Sequence, residues 1–332
     1  MLFRSLVLGG LGAGSWYCFA ARGLLIDAVG PALAITLVYV LTSVVRHVAS
    51  ERRQRWIRQA FSRYVSPNLV AYLIKQPDAL ELGGRRQDCS FVFTDLADFT
   101  PLLEGMDAGA AVALINAYLD GMIAIAFAHD GTLNRIVGDA VVIMFSAPVP
   151  QADHQRRALA CAWEMRRFSQ DYAQTVSARG IPFGQTRIGI HSGEVIVGNF
   201  GGSTIFDYRA LGDPINTAAR LESANKQLGT WVCASAATLA ACPGWPARPI
   251  GKVLLKGKTV PLMVYELLDP QQMADGDAPY QAAYALLDGQ PALARSAFAA
   301  LAAARPGDAL VALHHARLQA GQADDLIVLE RK

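Results

Sequence analysis

FVFTDLADFT at residues 91–100 and LNRIVGDAVVIMF at 133–145 decide the reading of this chain. Each sets an aspartate, Asp95 or Asp139, at the end or turn of an apolar, strand-like run. A carboxylate at a strand terminus costs desolvation unless a cation or hydrogen-bond donors meet it. A lone Asp after Gly is an ordinary turn residue. Two such carboxylates brought side by side point instead to a shared divalent-metal site. Phosphoryl or nucleotidyl transfer is the chemistry that follows.

Working outward from this pair, residues 90–268 alternate β-rich and helical runs. The strand SFVFTD leads to a helix over 108–129. TLNRIV and AVVIMF then form a hairpin whose turn holds Gly138 and Asp139. A helix follows over 153–179, TRIGIHSGEVIVGNF reads as two strands, and 213–228 is helical after a turn. This order predicts an α+β sandwich with an antiparallel sheet and helices on one face. Asp95 then ends the first strand, Asp139 sits in the adjoining hairpin, and both reach the same pair of cations. His191 reads as a strand-end residue with no assigned role.

Five ordered motifs extend this core: FVFTDLADFT, RIVGDAVVIMF, IGIHSGEVIVGNFG, FDYRALGDPINTAARLE and LLKGK. In this order and at these spacings they closely resemble the catalytic domain of the class III nucleotidyl cyclases, the adenylate and guanylate cyclases. The resemblance implies a ferredoxin-like sandwich that converts a nucleoside triphosphate to its 3′,5′-cyclic monophosphate and pyrophosphate. It implies two Mg²⁺ or Mn²⁺ ions per site, held by Asp95, Asp139 and the Leu96 backbone carbonyl. Asn216 and Arg220 match the family's catalytic pair, which orients the ribose and stabilises charge at the α-phosphate. Their spacing of four puts both on one helix face. Lys256 matches the phosphate-contacting lysine, and Phe99 and Thr100 match nucleotide-binding positions. Acidic and basic sets come from opposite subunits in this family, so one chain carrying both implies a homodimer.

The resemblance departs at the two positions that choose the purine, which here are Arg135 and Arg209. A guanidinium only donates and cannot accept from the adenine amino group. Guanylate cyclases put Glu and Cys there, and this chain has neither. ATP is therefore expected on family frequency, with GTP as the alternative substrate. Thr204 stands where an arginine is common.

With 332 residues the chain exceeds one average domain. Its formal charge of +2 gives bulk electrostatics no argument for nucleic acid, and none is expected as a partner. Five scattered cysteines without metal-ligand spacing read as reduced small residues. Apolar stretches at 6–21 and 24–45 predict a transmembrane hairpin over 1–45, since about 20 residues span a bilayer. Arg46, Arg52, Arg53, Arg55 and Arg58 follow at once, so the positive-inside rule puts the rest of the chain in the cytoplasm. A plasma-membrane location, the inner membrane of a bacterium, is the expectation. Residues 46–85 then form a linker carrying an amphipathic helix, including an AFxRYVSP segment similar to that of bacterial membrane cyclases. The catalytic domain spans 86–268. The alanine- and leucine-rich region 269–332 forms three helices resembling little more than one tetratricopeptide repeat, a unit that needs neighbours to bury its core.

Overall fold

The computed structural model describes residues 2–24, 27–61, 66–76, 82–202, 204, 206–269 and 277–329, leaving out the side chains of 2–8 and 54–61. The chain divides into two compact units, Met1–Tyr64 and Val65–Lys332.

The first unit holds helices α1 (Leu2–Arg22) and α2 (Val29–Phe61). Asp27 accepts from the amides of Val29 and Gly30 at 2.9 and 3.2 Å and so caps the start of α2. Thr36 and Thr42 return their hydroxyls to carbonyls one turn back, at 2.8 Å each, so both donors are satisfied within the helix. Within this unit, 29–53 is long and apolar enough to cross a membrane. The apolar stretch and the arginine-rich stretch belong to one uninterrupted helix, so the expected boundary at residue 45 falls mid-helix. Residues 62–65 of the AFxRYVSP segment lie outside the described residues.

The second unit begins with α3 (Pro67–Lys75) and strand β1 (Gly83–Leu96). There follow α4 (Phe99–Glu104), α5 (Ala108–Ala128), β2 (Thr132–Val137), β3 (Ala140–Phe145), α6 (His154–Ser177), β4 (Thr186–Gly201), β5 (Phe206–Leu211) and α7 (Asp213–Leu228). Next come β6 (Val232–Ser235), α8 (Ala236–Leu239), β7 (Ala247–Leu254), β8 (Leu262–Leu267), α9 (Ala278–Ala285), α10 (Pro291–Ala304), α11 (Ala309–Gln319) and β9 (Leu326–Val328). The sheet runs β2-β3-β1-β4-β6-β8-β7-β9, with β5 paired to β4. Pairings from β2 through β4 and β5 are antiparallel as expected. Strands β6 on β4 and β9 on β7 add in parallel, making the sheet mixed.

Alternation along β1 sorts the core. Val92 and Leu96 pack with Tyr118, Met122 and Leu159 of α5 and α6, while Cys89 and Phe91 pack with Ala218 of α7. Helices therefore cover both faces, not one, because β1 carries apolar residues at odd and even positions alike. Helix α5 is also long and apolar enough to cross a membrane, but its Tyr118, Met122 and Ala126 are fully buried in this core. Asp107 caps it through the amides of Gly109 and Ala110, a contribution of about 1 kcal/mol.

Two readings of the third motif are corrected. TRIGIHSGEVIVGNFG is a single strand, paired with β1 along its whole length from Thr186 to Asn199. Its glycines mark close approaches, not turns: at Gly189 the Ala218 carbonyl and Glu222 amide of α7 occupy the space of a side chain. His191 consequently sits mid-strand, opposite Phe91, and bonds Ser235 Oγ through Nδ1 at 2.7 Å.

Candidate active site

Strand pairing builds the acidic part of the site. β1 ends at Asp95 and Leu96, and the β2–β3 turn brings Asp139 against that end. The Leu96 amide donates to Asp139 Oδ2 at 2.8 Å, fixing the turn carboxylate to the strand terminus. Burial and then the charge of Asp139 push the Asp95 carboxyl above its usual range, and Arg187 opposes the shift. Of the three expected metal ligands, Leu96 is thus engaged with Asp139 through its amide and not through its carbonyl.

Sequence reasoning missed two residues here. Arg187 is the cross-strand partner of Asp95 in the β1–β4 register, and its Nη2 reaches Asp95 Oδ2 at 3.2 Å. Glu222, buried on α7, presents Oε1 to Arg187 Nε at 3.8 Å, too long for a hydrogen bond, and both atoms lack a partner. The Glu222 carboxyl is pushed up to about 7, by burial first and then by Asp95. One guanidinium is thereby shared between two carboxylates, Asp95 and Glu222, while Asp139 rests on the Leu96 amide. Among the described residues no three such side chains gather into a metal-holding group, but the paired oxygens of Asp95 and Asp139 are of the kind a hard divalent cation takes.

The basic part lies on α7 and the β7–β8 loop. A cleft of about 960 Å³ is lined by Asp95, Arg187, Glu222, Arg220 and Lys256 among others. Arg220 is half-buried and Lys256 exposed, and Gly257 brings the loop close to the Arg220 guanidinium. Asn216, one turn earlier on α7, is exposed and outside the lining of this cleft. Lys258 pairs with Asp213 at the start of α7, tying loop to helix.

The remaining sequence-predicted residues lie elsewhere. Phe99 packs partly buried against the α5–α6 core, and Thr100 is exposed beside it. Arg135 is exposed on β2, and Arg209, on β5 opposite Gly198, lies 5.9 Å from the Phe200 ring centroid. Neither arginine lines the 960 Å³ cleft. Thr204 is exposed.

This arrangement coincides with a family match: residues 83–269 fit the model described as the adenylate and guanylate cyclase catalytic domain. The chain belongs to that family. Adenylate cyclase 1 of Rhizobium meliloti is 37% identical over 212 residues, 63% of this chain and 31% of the relative. The adenylyl cyclase CyaB of P. aeruginosa superposes with a TM-score of 0.53 at 31% identity, over 58% of this chain and 99% of that one. The guanylyl cyclase Cya2 does so at 0.51 and 30% identity, over 58% and 98%. The chain spans about a third of the length of the first of these relatives. The cyclase region thus runs from the start of β1 to just past β8, and α9–α11 with β9 lie beyond it.

Proposed function

We propose that this chain is a membrane-anchored adenylate cyclase that turns ATP into 3′,5′-cyclic AMP and pyrophosphate as a homodimer. The Asp95–Asp139 pair carries the reading. Two carboxylates held together at a strand end, one of them pushed up by burial and then by the other's charge, are a costly arrangement that a cation relieves. Asp95, Asp139 and the Leu96 carbonyl would hold two Mg²⁺ or Mn²⁺ ions. Bound there, the ions supply the positive charge that acidifies a ribose hydroxyl and neutralises a triphosphate.

The chain's own residues do the rest. Asn216 orients the ribose so that its 3′ oxygen faces the α-phosphorus. As that bond forms, the bond from the α-phosphorus to the bridging oxygen breaks and pyrophosphate departs. Arg220 meets the charge that develops at the α-phosphate, and Lys256 holds the outer phosphates.

Exposed apolar residues support the homodimer: Ile136 and Val137 near the β2–β3 turn, Ile196 on β4, and Phe206 and Leu211 on β5. Asn216, exposed and away from the cleft that Asp95 lines, is available to a second copy. The apolar stretch 29–53 followed by arginines supports a membrane anchor with the cyclase on the cytoplasmic side. ATP follows from family frequency and from the relative named an adenylate cyclase. Arg135 and Arg209, donors where an adenine-reading acceptor is usual, favour a guanylate cyclase as the second reading.

Turnover of ATP and of GTP by the full chain, with Mg²⁺ or Mn²⁺ and with Asp95→Asn as control, tests the reading. Cyclic AMP that disappears in the control is expected. Faster cyclic GTP-derived product would reassign the base, and no turnover of either by folded dimers would make the chain a silent nucleotide-binding module.

A further inference from the structure

We infer that the C-terminal region 278–329, which lies beyond the family domain, braces the helix and loop that carry Arg220 and Lys256 and so positions these two residues. The inference rests on the reading of Arg220 and Lys256 as the phosphate-binding half of the site.

Strand β9 supplies the first contact. It pairs in parallel with β7, Lys252 with Leu326, Val253 with Ile327 and Leu254 with Val328. The Lys252 amide donates to the Asp325 carbonyl at 2.8 Å, and Lys252 Nζ lies 3.3 Å from the Asp325 carboxylate. Gly251 makes this approach possible: its φ is +140°, and the Asp325 carbonyl fills the place of a side chain. Parallel strands leave their ladder in the same direction. Leu329, one residue past Val328, and Lys256, two past Leu254, accordingly both border the cleft.

Helix α7 supplies the second. Its Leu221, Ala224 and Leu228 recur at helical spacing and are buried in one core with Tyr280, Phe298, Leu310 and Val311 of α9–α11. Arg220, Ser223 and Gln227, each one residue earlier, line the cleft. The rear of the helix that carries Arg220 is therefore seated on the C-terminal helices.

Buried charge locks this seat. Arg248 of β7, only 9% exposed, bonds Glu266 at 2.8 Å, Asp277 at 3.1 Å and Asp308 at 2.6 Å, and Arg305 bonds Asp277 at 2.8 Å. Removing one partner from such a network strands the others without solvent. The helices resembling a tetratricopeptide unit thus spend their apolar faces on the cyclase core, with Tyr280 and Phe298 fully buried.

The test uses full-length Ile327→Ser, Leu329→Ala and, as control, Val328→Ser, whose side chain is 59% exposed on the same strand. Binding of 3′-deoxy-ATP, which lacks the attacking hydroxyl, is measured by calorimetry beside KM, kcat, melting temperature and Mn²⁺ affinity. Nucleotide Kd and KM are expected to rise about fivefold in Ile327→Ser and about threefold in Leu329→Ala, with Mn²⁺ affinity unchanged and Val328→Ser like the unaltered chain. Unchanged nucleotide affinity in folded Ile327→Ser and Leu329→Ala would overturn the inference. If Ile327→Ser does not fold, Leu329→Ala decides alone. An unaltered chain that binds no nucleotide would overturn the functional reading and this inference with it, whereas binding there with unchanged variants overturns this inference only.

Discussion

The acidic and basic halves of the site solve opposite problems. Around Asp95, two carboxylates share one guanidinium, Arg187, a third stands on the Leu96 amide, and buried polar atoms on Arg187 and Glu222 stay unpartnered. Around Arg220 and Lys256 the cations stand apart, half-buried and exposed, with their supporting elements braced from behind by α9–α11. One half gathers negative charge that a cation would relieve, and the other is a packed frame holding positive charge that an anion would meet. Preorganised charge of this second kind acts without reorganising when the transition state forms.

Removing the acidic half should have the largest effect. Asp95→Asn takes away a carboxylate that no neighbour replaces, and turnover should drop by about a thousandfold or more, read as product formed per folded chain at saturating Mn²⁺. Arg220→Ala removes a single donor to developing charge and should cost about a hundredfold in kcat, with nucleotide binding less affected. Mixing the two variants asks whether the halves that work together belong to one chain. If they belong to two, half of randomly assorted dimers are mixed and each carries one intact site, so activity should return to about a quarter of the unaltered level. A mixture that stays inactive while dimers exchange would place both halves in one chain. Lys256→Met, on the exposed side, should raise KM about tenfold and leave kcat within a few-fold.

The halves also differed in how much the sequence disclosed. Helix α7 was read at its observed bounds, 213–228, because Gly212, Pro214 and Gly229 punctuate both ends. The β2–β3 hairpin was legible from alternation around Gly138 and Asp139. Strand β4 was not, since its glycines imitate turn signals when they are places where α7 and β1 press on the backbone. Arg187 becomes visible only once the β1–β4 register sets it opposite Asp95, a long-range pairing that no local pattern encodes. Glu222 carries no local signal, because its burial depends on Gly189 across the sheet. Strand β9 is three residues long, below the length at which alternation can be seen.

Glu222 offers the finest probe of the contrast, through stability and not turnover. Its carboxyl is ordinary in the unfolded chain, at 4.5, and stands at about 7 in the fold, where burial and Asp95 oppose its charge. Between those values the folded state binds more protons than the unfolded one, so stability falls as pH rises. The contribution is complete below about 4.5 and lost as pH climbs through about 7. It amounts to about 2 kcal/mol after allowance for relaxation of a buried group. Glu222→Gln keeps the shape and removes the titration, so the variant should melt with a flatter pH dependence over that interval when divalent cations are absent. Excess Mg²⁺ should narrow the difference for the unaltered chain, because a cation at Asp95 removes one source of the repulsion that Glu222 experiences. A pH dependence that is the same in both proteins would mean that Arg187 already neutralises Glu222.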